Sequence, residues 1–433
     1  MNPMLTKVLT NTSWLASEKV VAMASSLLVA LVLARSLNPA GYGSLSYLLA
    51  IIALVGPLTS LGLNAIITRE LVNTPQRQHA IMATASGFRL AGAAFGTLIC
   101  LLLALTGWGL AGPADQWALA MLALANLFSA FQVIEFWFQA HVAAKAVAHM
   151  RLTIIVIFSL AKIAAALSGA SLLLLCSLFA LEMAFIGAGF LLIYRRAAGA
   201  IQWRALDVSY GWQLLKQGFW LVLSGVAAVI YLKVDQVMLA QMVSREAVGV
   251  YAVAARLSEV WYFFATAIAI SLFPALLKLR QNNAQRYQQR LQQICDVLFI
   301  VALLLAIGIS VIATPMVSIL FGKEYQAAAA ILTIHIWASV FIYMRALVSK
   351  WLIAENLLAF SLLSHGIGAI VNIAANWYLI PLYGGVGAAW ATVLSYLLAS
   401  YLAFWLAAST RPIALVMTKS LLLPVTLGYR YWR

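Results

Sequence analysis

Residues 295–314 read CDVLFIVALLLAIGISVIAT, twenty residues carrying one charge, Asp296. At 1.5 Å of rise per residue such a helix is about 30 Å long, the thickness of a bilayer's hydrocarbon core. Working outward, runs of the same kind, broken by Gly, Pro and charge, recur along the chain. They lie near 17–34, 43–66, 85–108, 116–138, 151–168 and 171–194, then near 213–241, 248–275, 295–314, 328–351, 358–380 and 386–408. Twelve such runs predict an all-α integral membrane protein of about twelve transmembrane helices. The composition agrees, since 64% of the residues are apolar and only 9% charged, outside the range of soluble domains.

The net charge of +15 would suggest nucleic acid in a soluble protein. In a membrane protein it is the excess of Lys and Arg expected in cytoplasmic loops, so no nucleic-acid partner is inferred. Loop charges also orient the chain. One side collects 21 of the 27 basic residues, from Lys7 and Lys19 through Arg151, Arg280 and Arg345 to the four from Arg411 onward. The other holds only Arg35, Arg245 and Lys323, while Lys162, Lys233 and Arg256 lie inside spans. Both termini are therefore expected in the cytoplasm. The first run is read as a span rather than a signal peptide because eleven more follow. Cys100, Cys176 and Cys295 are far apart and fit neither a metal site nor a disulfide framework.

The two sets of six resemble each other. Asn38-Pro39-Ala40-Gly41-Tyr42-Gly43-Ser44-Leu45 parallels Ser244-Arg245-Glu246-Ala247-Val248-Gly249-Val250-Tyr251, 206 residues on. Trp137-Phe138-Gln139-Ala140 parallels Trp351-Leu352-Ile353-Ala354, 214 residues on. These matches predict two parallel six-helix pseudo-repeats around a central cavity, residues 1–205 and 206–410, with a cytoplasmic or interfacial tail at 411–433. Gly43 and Gly249 are expected to close the reversals between spans at positive φ.

Five segments carry a further resemblance: Leu33 to Pro39 with Gly41-Tyr42-Gly43; Glu135-Phe136-Trp137-Phe138-Gln139-Ala140 with Lys145; Asp235-Gln236-Val237-Met238-Leu239 followed by Val248-Gly249-Val250-Tyr251; Leu320-Phe321-Gly322-Lys323-Glu324-Tyr325; and Ile380-Pro381-Leu382-Tyr383-Gly384-Gly385-Val386-Gly387-Ala388-Ala389. With them the chain resembles the polysaccharide and O-antigen repeat-unit flippases, whose superfamily also holds multidrug exporters and the lipid II flippase. The resemblance implies a bacterial inner-membrane transporter. It would turn an oligosaccharide on undecaprenyl pyrophosphate from the cytoplasmic to the periplasmic leaflet by alternating access driven by an ion gradient. It implies the bilayer and the lipid-linked oligosaccharide as partners, admits a glycan polymerase and a chain-length regulator, and implies no cofactor and no metal. Some members have fourteen spans, and the tail here is too short for two more.

A charge at the bilayer centre costs roughly 2.5–3.5 kcal/mol on insertion scales, so intramembrane charges mark function or pairing. Arg35, Lys162, Lys233 and Arg256 are expected to form an outer cationic group and Arg89, with Lys19, an inner one. Together they would bind the pyrophosphate, whose oxygens Arg can hold bidentately. Glu135, Glu182 and Asp235 are the candidates for ion coupling. The competing structural readings are neutralisation of Arg256 by Glu259, three residues on, and snorkelling of Lys19, Arg89, Arg345 and Lys350. Lys233 and Asp235 lie about 200° apart on one helix and do not pair with each other. His335, His365, Asn372 and Asn376 serve either as interhelical hydrogen-bond partners or, for the asparagines, as sugar ligands. Two other functions compete: a multidrug exporter of the same fold, and a membrane glycan polymerase or glycosyltransferase. The latter is disfavoured because the outward loops offer few groups for acid or base chemistry.

Overall fold

The computed structural model describes residues 3–426; the side chain of Lys7 and the basic end of the tail at Arg430 and Arg433 lie outside the described residues. The described chain is all-helical. Its helices are α1 (Pro3–Ser60), α2 (Asn64–Asn73), α3 (Gln78–Thr106), α4 (Pro113–Asn126), α5 (Ile134–Ala140), α6 (Ala144–Leu167), α7 (Leu172–Ala198), α8 (Val208–Met242), α9 (Arg245–Glu259), α10 (Tyr262–Asn282), α11 (Ala284–Phe321), α12 (Ala328–His335), α13 (Ala338–Ala354), α14 (Leu358–Ser400) and α15 (Arg411–Leu421). Ten helical stretches are long and apolar enough to cross a membrane. Two of them, within α1 and α14, are broken by non-helical residues at Asn38 and Gly384. Each is about twice the length a bilayer accommodates, so each supplies two spans, and twelve result.

Several helices extend past their apolar runs. Span nine begins at Ala284 rather than near 295, and span eight runs on to Asn282 rather than 275. The added turns carry Lys278, Arg280, Arg286 and Arg290. Hydropathy reports the thickness of hydrocarbon, and a helix need not stop where the hydrocarbon does.

The chain divides into two compact units, Met1–Val229 and Ile230–Arg433. The division falls inside α8. The physical reason lies in span two, which breaks at Leu61 and Gly62, both at positive φ. The first part of α8 packs into that break so closely that a Cβ on Gly62 would meet the backbone nitrogen of Val222 at 2.9 Å. Gly62→Ala is therefore expected to destabilise the protein by on the order of 2 kcal/mol, read as a lower unfolding temperature in detergent.

Turn chemistry repeats along the chain. Asn38 and Ser244 each cap the helix that follows, accepting a hydrogen bond from Gly41 N at 3.0 Å and from Ala247 N at 3.1 Å. The helices ending at Ala140 and Ala354 close alike. His141 and Glu355 follow, Val142 and Asn356 take positive φ, and Ala143 N and Leu357 N reach back to the carbonyls of Phe138 and Leu352. The expected positive φ at Gly43 and Gly249 is not found. Asn38 takes it in the first reversal, while Gly43 and Gly249 are buried inside helices. Asn tolerates the left-handed region because its short side chain bonds locally, and Pro39 is pre-set for the first helical position.

In the first unit α1 packs on α3 and α6, and α7 on α4 and α6. In the second, α13 lies against α10, α11 and α14, and α12 against α9, α11 and α14. The described part of the tail forms α15, which docks on α11 and buries Ile413, Ala414 and Met417. At eleven residues it is too short to span.

Candidate functional site

In the first unit the intramembrane acids are held by bases. Glu135, on α5, accepts from Arg151 Nη2 at 2.8 Å, and Arg151 also lies 3.7 Å from the buried Glu18 of α1. Arg89, buried on α3 rather than snorkelling to solvent, feels the charge of Glu135. The inner cluster is thus mixed in sign and built from four spans. Arg151 is its missing member, assigned from sequence to a loop because the apolar run of span five begins there. Higher in the unit Lys162, 4% exposed, pairs with Glu182 of α7 and lies 4.0 Å from the ring centre of Phe179. Arg35 is exposed.

In the second unit Lys233 of α8 pairs with Glu259 of α9, Nζ to Oε2 at 3.2 Å. This corrects the pairing of Glu259 with Arg256, whose guanidinium is exposed and makes no ion pair among the described residues. The Glu259 carboxylate turns instead to the ammonium that α8 brings to the end of α9.

Asp235, two residues from Lys233, is different. It is 1% exposed, and among the described residues no Lys or Arg pairs with it. Instead it accepts from Tyr251 Oη at 2.6 Å, from Thr392 Oγ1 at 2.6 Å and from Asn376 Nδ2. α8 supplies the acid, α9 the tyrosine and the two arms of α14 the rest. The apolar helices α9 and α14 bring these polar groups inward because burial of an unpaired hydroxyl or amide elsewhere in hydrocarbon would be worse. Three neutral donors stabilise a carboxylate without cancelling its charge. The cluster also holds an acceptor with no donor, Asn376 Oδ1. The Thr392 hydroxyl has one proton and two acceptors, Asp235 Oδ2 and the Ala388 carbonyl at 3.1 Å. A proton on Asp235 Oδ2 would donate to Thr392 Oγ1 and leave the Thr392 hydroxyl proton to the Ala388 carbonyl. His335 faces the same tyrosine, ring centres 5.9 Å apart, and Asn372 Oδ1 accepts from Asn376 Nδ2 at 3.0 Å.

Arg345 does not snorkel. It is 6% exposed and donates from Nη2 to Ser364 Oγ at 2.9 Å and to His365 Nε2 at 3.0 Å. Since guanidinium only donates, His365 accepts at Nε2, and Nδ1–H then donates to Tyr231 Oη at 2.8 Å. The Ala399 carbonyl, next to the end of α14, and the face of Phe404 complete its surroundings. A helix C-terminus and an aromatic face both favour a cation.

With this geometry in view, the sequence pattern of a family described as "Polysaccharide biosynthesis protein" matches residues 32–330, well over half of the chain. The chain belongs to the polysaccharide biosynthesis protein family. Two curated relatives come from Haloferax volcanii. The "Probable flippase AglR" is 31% identical over 45% of this chain, and the "Probable low-salt glycan biosynthesis flippase Agl15" 26% identical over 40%. The matches span only 39% and 37% of those relatives' own lengths. The fold of this family member is that of a solved "Lipid II flippase MurJ, inward closed conformation", with TM-score 0.71, 11% identity, and 94% of this chain and 90% of that one covered. An inward-facing multidrug resistance MATE family transporter of the MOP superfamily gives TM-score 0.67 at 13% identity, covering 93% and 99%. The family match makes the chain a polysaccharide biosynthesis protein, and the likeness to these two solved structures gives its fold, that of a multi-pass membrane protein. Glu135, Lys162, Glu182, Lys233, Asp235 and Arg256 all lie within the matched segment, whereas Asn376 and Thr392 lie beyond it.

Proposed function

We propose that the chain is a flippase that turns an undecaprenyl-pyrophosphate-linked oligosaccharide from the cytoplasmic to the outer leaflet of a bacterial inner membrane, with both termini cytoplasmic. The family match over residues 32–330 carries this reading, joined to relatives whose names assign them to flipping and glycan biosynthesis. The six-helix halves, 1–205 and 206–410, alternate access by rocking, and the repeated caps and turns support their common origin.

Charge refines the proposal. Lys162 and Lys233 are each held by a carboxylate, which leaves Arg256, exposed and free of acids, as the first choice for the pyrophosphate. Arg35 is exposed and Arg89 lies with the inner cluster. Glu135 and Glu182 are neutralised by bases, so Asp235 is the coupling carboxylate and takes up a monovalent cation from the gradient.

The test is reconstitution in liposomes with a labelled lipid-linked oligosaccharide, following its accessibility to a membrane-impermeant glycan oxidant. Wild-type protein should expose it with time, and Arg256→Gln should slow exposure at least about tenfold, the loss of one charge-assisted hydrogen bond or more. Rates equal to protein-free liposomes would end the flippase reading. The likeness to the MATE transporter supports a second reading, multidrug export, in which the same vesicles would move a cationic dye and leave the glycolipid untouched.

A further inference from the structure

A groove of about 500 Å³ runs between α10 and α11 in the second unit, lined by Ile268 and Leu272 on one side and by Arg290, Gln293, Ile294, Asp296, Val297 and Ile300 on the other. Pro274 sits inside α10 just past the groove and cannot donate to the carbonyl of Ile270. That leaves the Ile270 carbonyl without its helical hydrogen bond. The groove's floor is apolar except for Asp296, whose Oδ1 is occupied by Gln292 Nε2 at 2.8 Å and Ser420 Oγ at 2.6 Å. Its volume falls within the range of small-molecule sites.

The charge lies at one end. Arg290 is exposed, has no carboxylate partner among the described residues, and donates from Nη1 to Gln293 Oε1 at 3.0 Å. That bond orients both side chains and leaves the Gln293 amide N–H groups and the other guanidinium donors available. From Arg290 to Ile300 the helix rises about 15 Å, half the hydrocarbon thickness. The groove therefore runs from the charged turns outside the apolar run part-way into one leaflet. It starts at the basic end of the spans, where the apolar run of span nine gives way to charge.

We infer that this groove is a binding site for an anionic phospholipid, its acyl chain lying along Ile294, Val297 and Ile300 and its phosphate held by Arg290 and Gln293. The apolar part of the groove takes the upper part of one acyl chain, and its charged end the headgroup. The unpaired guanidinium selects the anionic headgroup over a zwitterionic one.

Native mass spectrometry of the full chain, released from detergent with defined amounts of phosphatidylglycerol or phosphatidylethanolamine, tests the site. Wild-type protein should retain one phosphatidylglycerol more tightly than phosphatidylethanolamine. Arg290→Gln should weaken that retention about fivefold, the worth of one basic residue at an anionic surface. Val297→Trp, at a position 53% exposed and so tolerant of bulk, should displace the lipid altogether. Arg286→Gln, at the same membrane end but outside the groove, should change nothing. Unaltered unfolding temperatures would show that the variants fold. Equal retention of the two lipids, or unchanged phosphatidylglycerol binding in either groove variant, would overturn the site.

Discussion

Vesicles containing Asp235→Asn are expected to lose the gradient-dependent part of transport, leaving only equilibration of the glycolipid between leaflets. One charge moved through 100 mV is worth about 2.3 kcal/mol, which is about fiftyfold in the attainable leaflet ratio. The amide keeps the shape of the carboxylate but can neither bind a proton at neutral pH nor supply a charge to a metal ion. Folding should survive. Thr392 can turn its hydroxyl to the Ala388 carbonyl and Tyr251 its own towards Thr392 Oγ1, 3.1 Å away, so a few hydrogen bonds rearrange at a cost of about 1–3 kcal/mol. The measurement is the leaflet ratio reached with an imposed potential, repeated with a proton gradient alone and a sodium gradient alone. Whichever gradient drives the wild type names the ion. A mutant that reaches the wild-type ratio would remove Asp235 from coupling and return the role to the paired acids Glu135 and Glu182.

The twelve spans were legible because hydrocarbon imposes one rule on every segment, twenty apolar residues with satisfied backbones, and residues 295–314 obey it openly. The caps were half legible. Asn38 and Ser244 align in sequence, and both prove to be helix caps, yet positive φ was assigned to the glycines and belongs to Asn38. Partners were the least legible. Arg256 and Glu259 are neighbours in helical spacing, but Glu259 pairs with Lys233 on another helix. Arg151 sits at the boundary where charge changes from loop to span, and a one-dimensional hydropathy reading places it outside although its guanidinium reaches inward to Glu135 and Glu18. Arg345 stands near a basic loop too, and only the third dimension reveals the end of α14 that holds it. The polar faces of α14 were visible as Asn372 and Asn376 one turn apart. What they faced depends on a reversal at Gly384 that brings Thr392 back to the same level.

Lys162 was expected to serve the substrate, and its pairing with Glu182 yields a different expectation for its removal. Lys162→Met leaves Glu182 as a lone carboxylate between α6 and α7, in a setting where breaking a buried pair costs about 3–5 kcal/mol. Removing the acid alone, Glu182→Leu, takes the carboxylate away from the buried lysine, and the Phe179 face softens the loss. The double variant Lys162→Met with Glu182→Leu replaces the pair by apolar side chains of similar size and should recover most of that stability, because the desolvation of two charges disappears along with their attraction. Thermal unfolding in detergent measures all four proteins, and the coupling between the two sites is the difference of differences. Transport by the double variant then separates structure from function. If it flips glycolipid at the wild-type rate, the pair is a brace between two helices, and the pyrophosphate is bound by Arg256 and its exposed neighbours. If the double variant is stable yet inactive, Lys162 leaves Glu182 for the substrate at some point in the cycle, and the ion pair is the resting state of a binding residue.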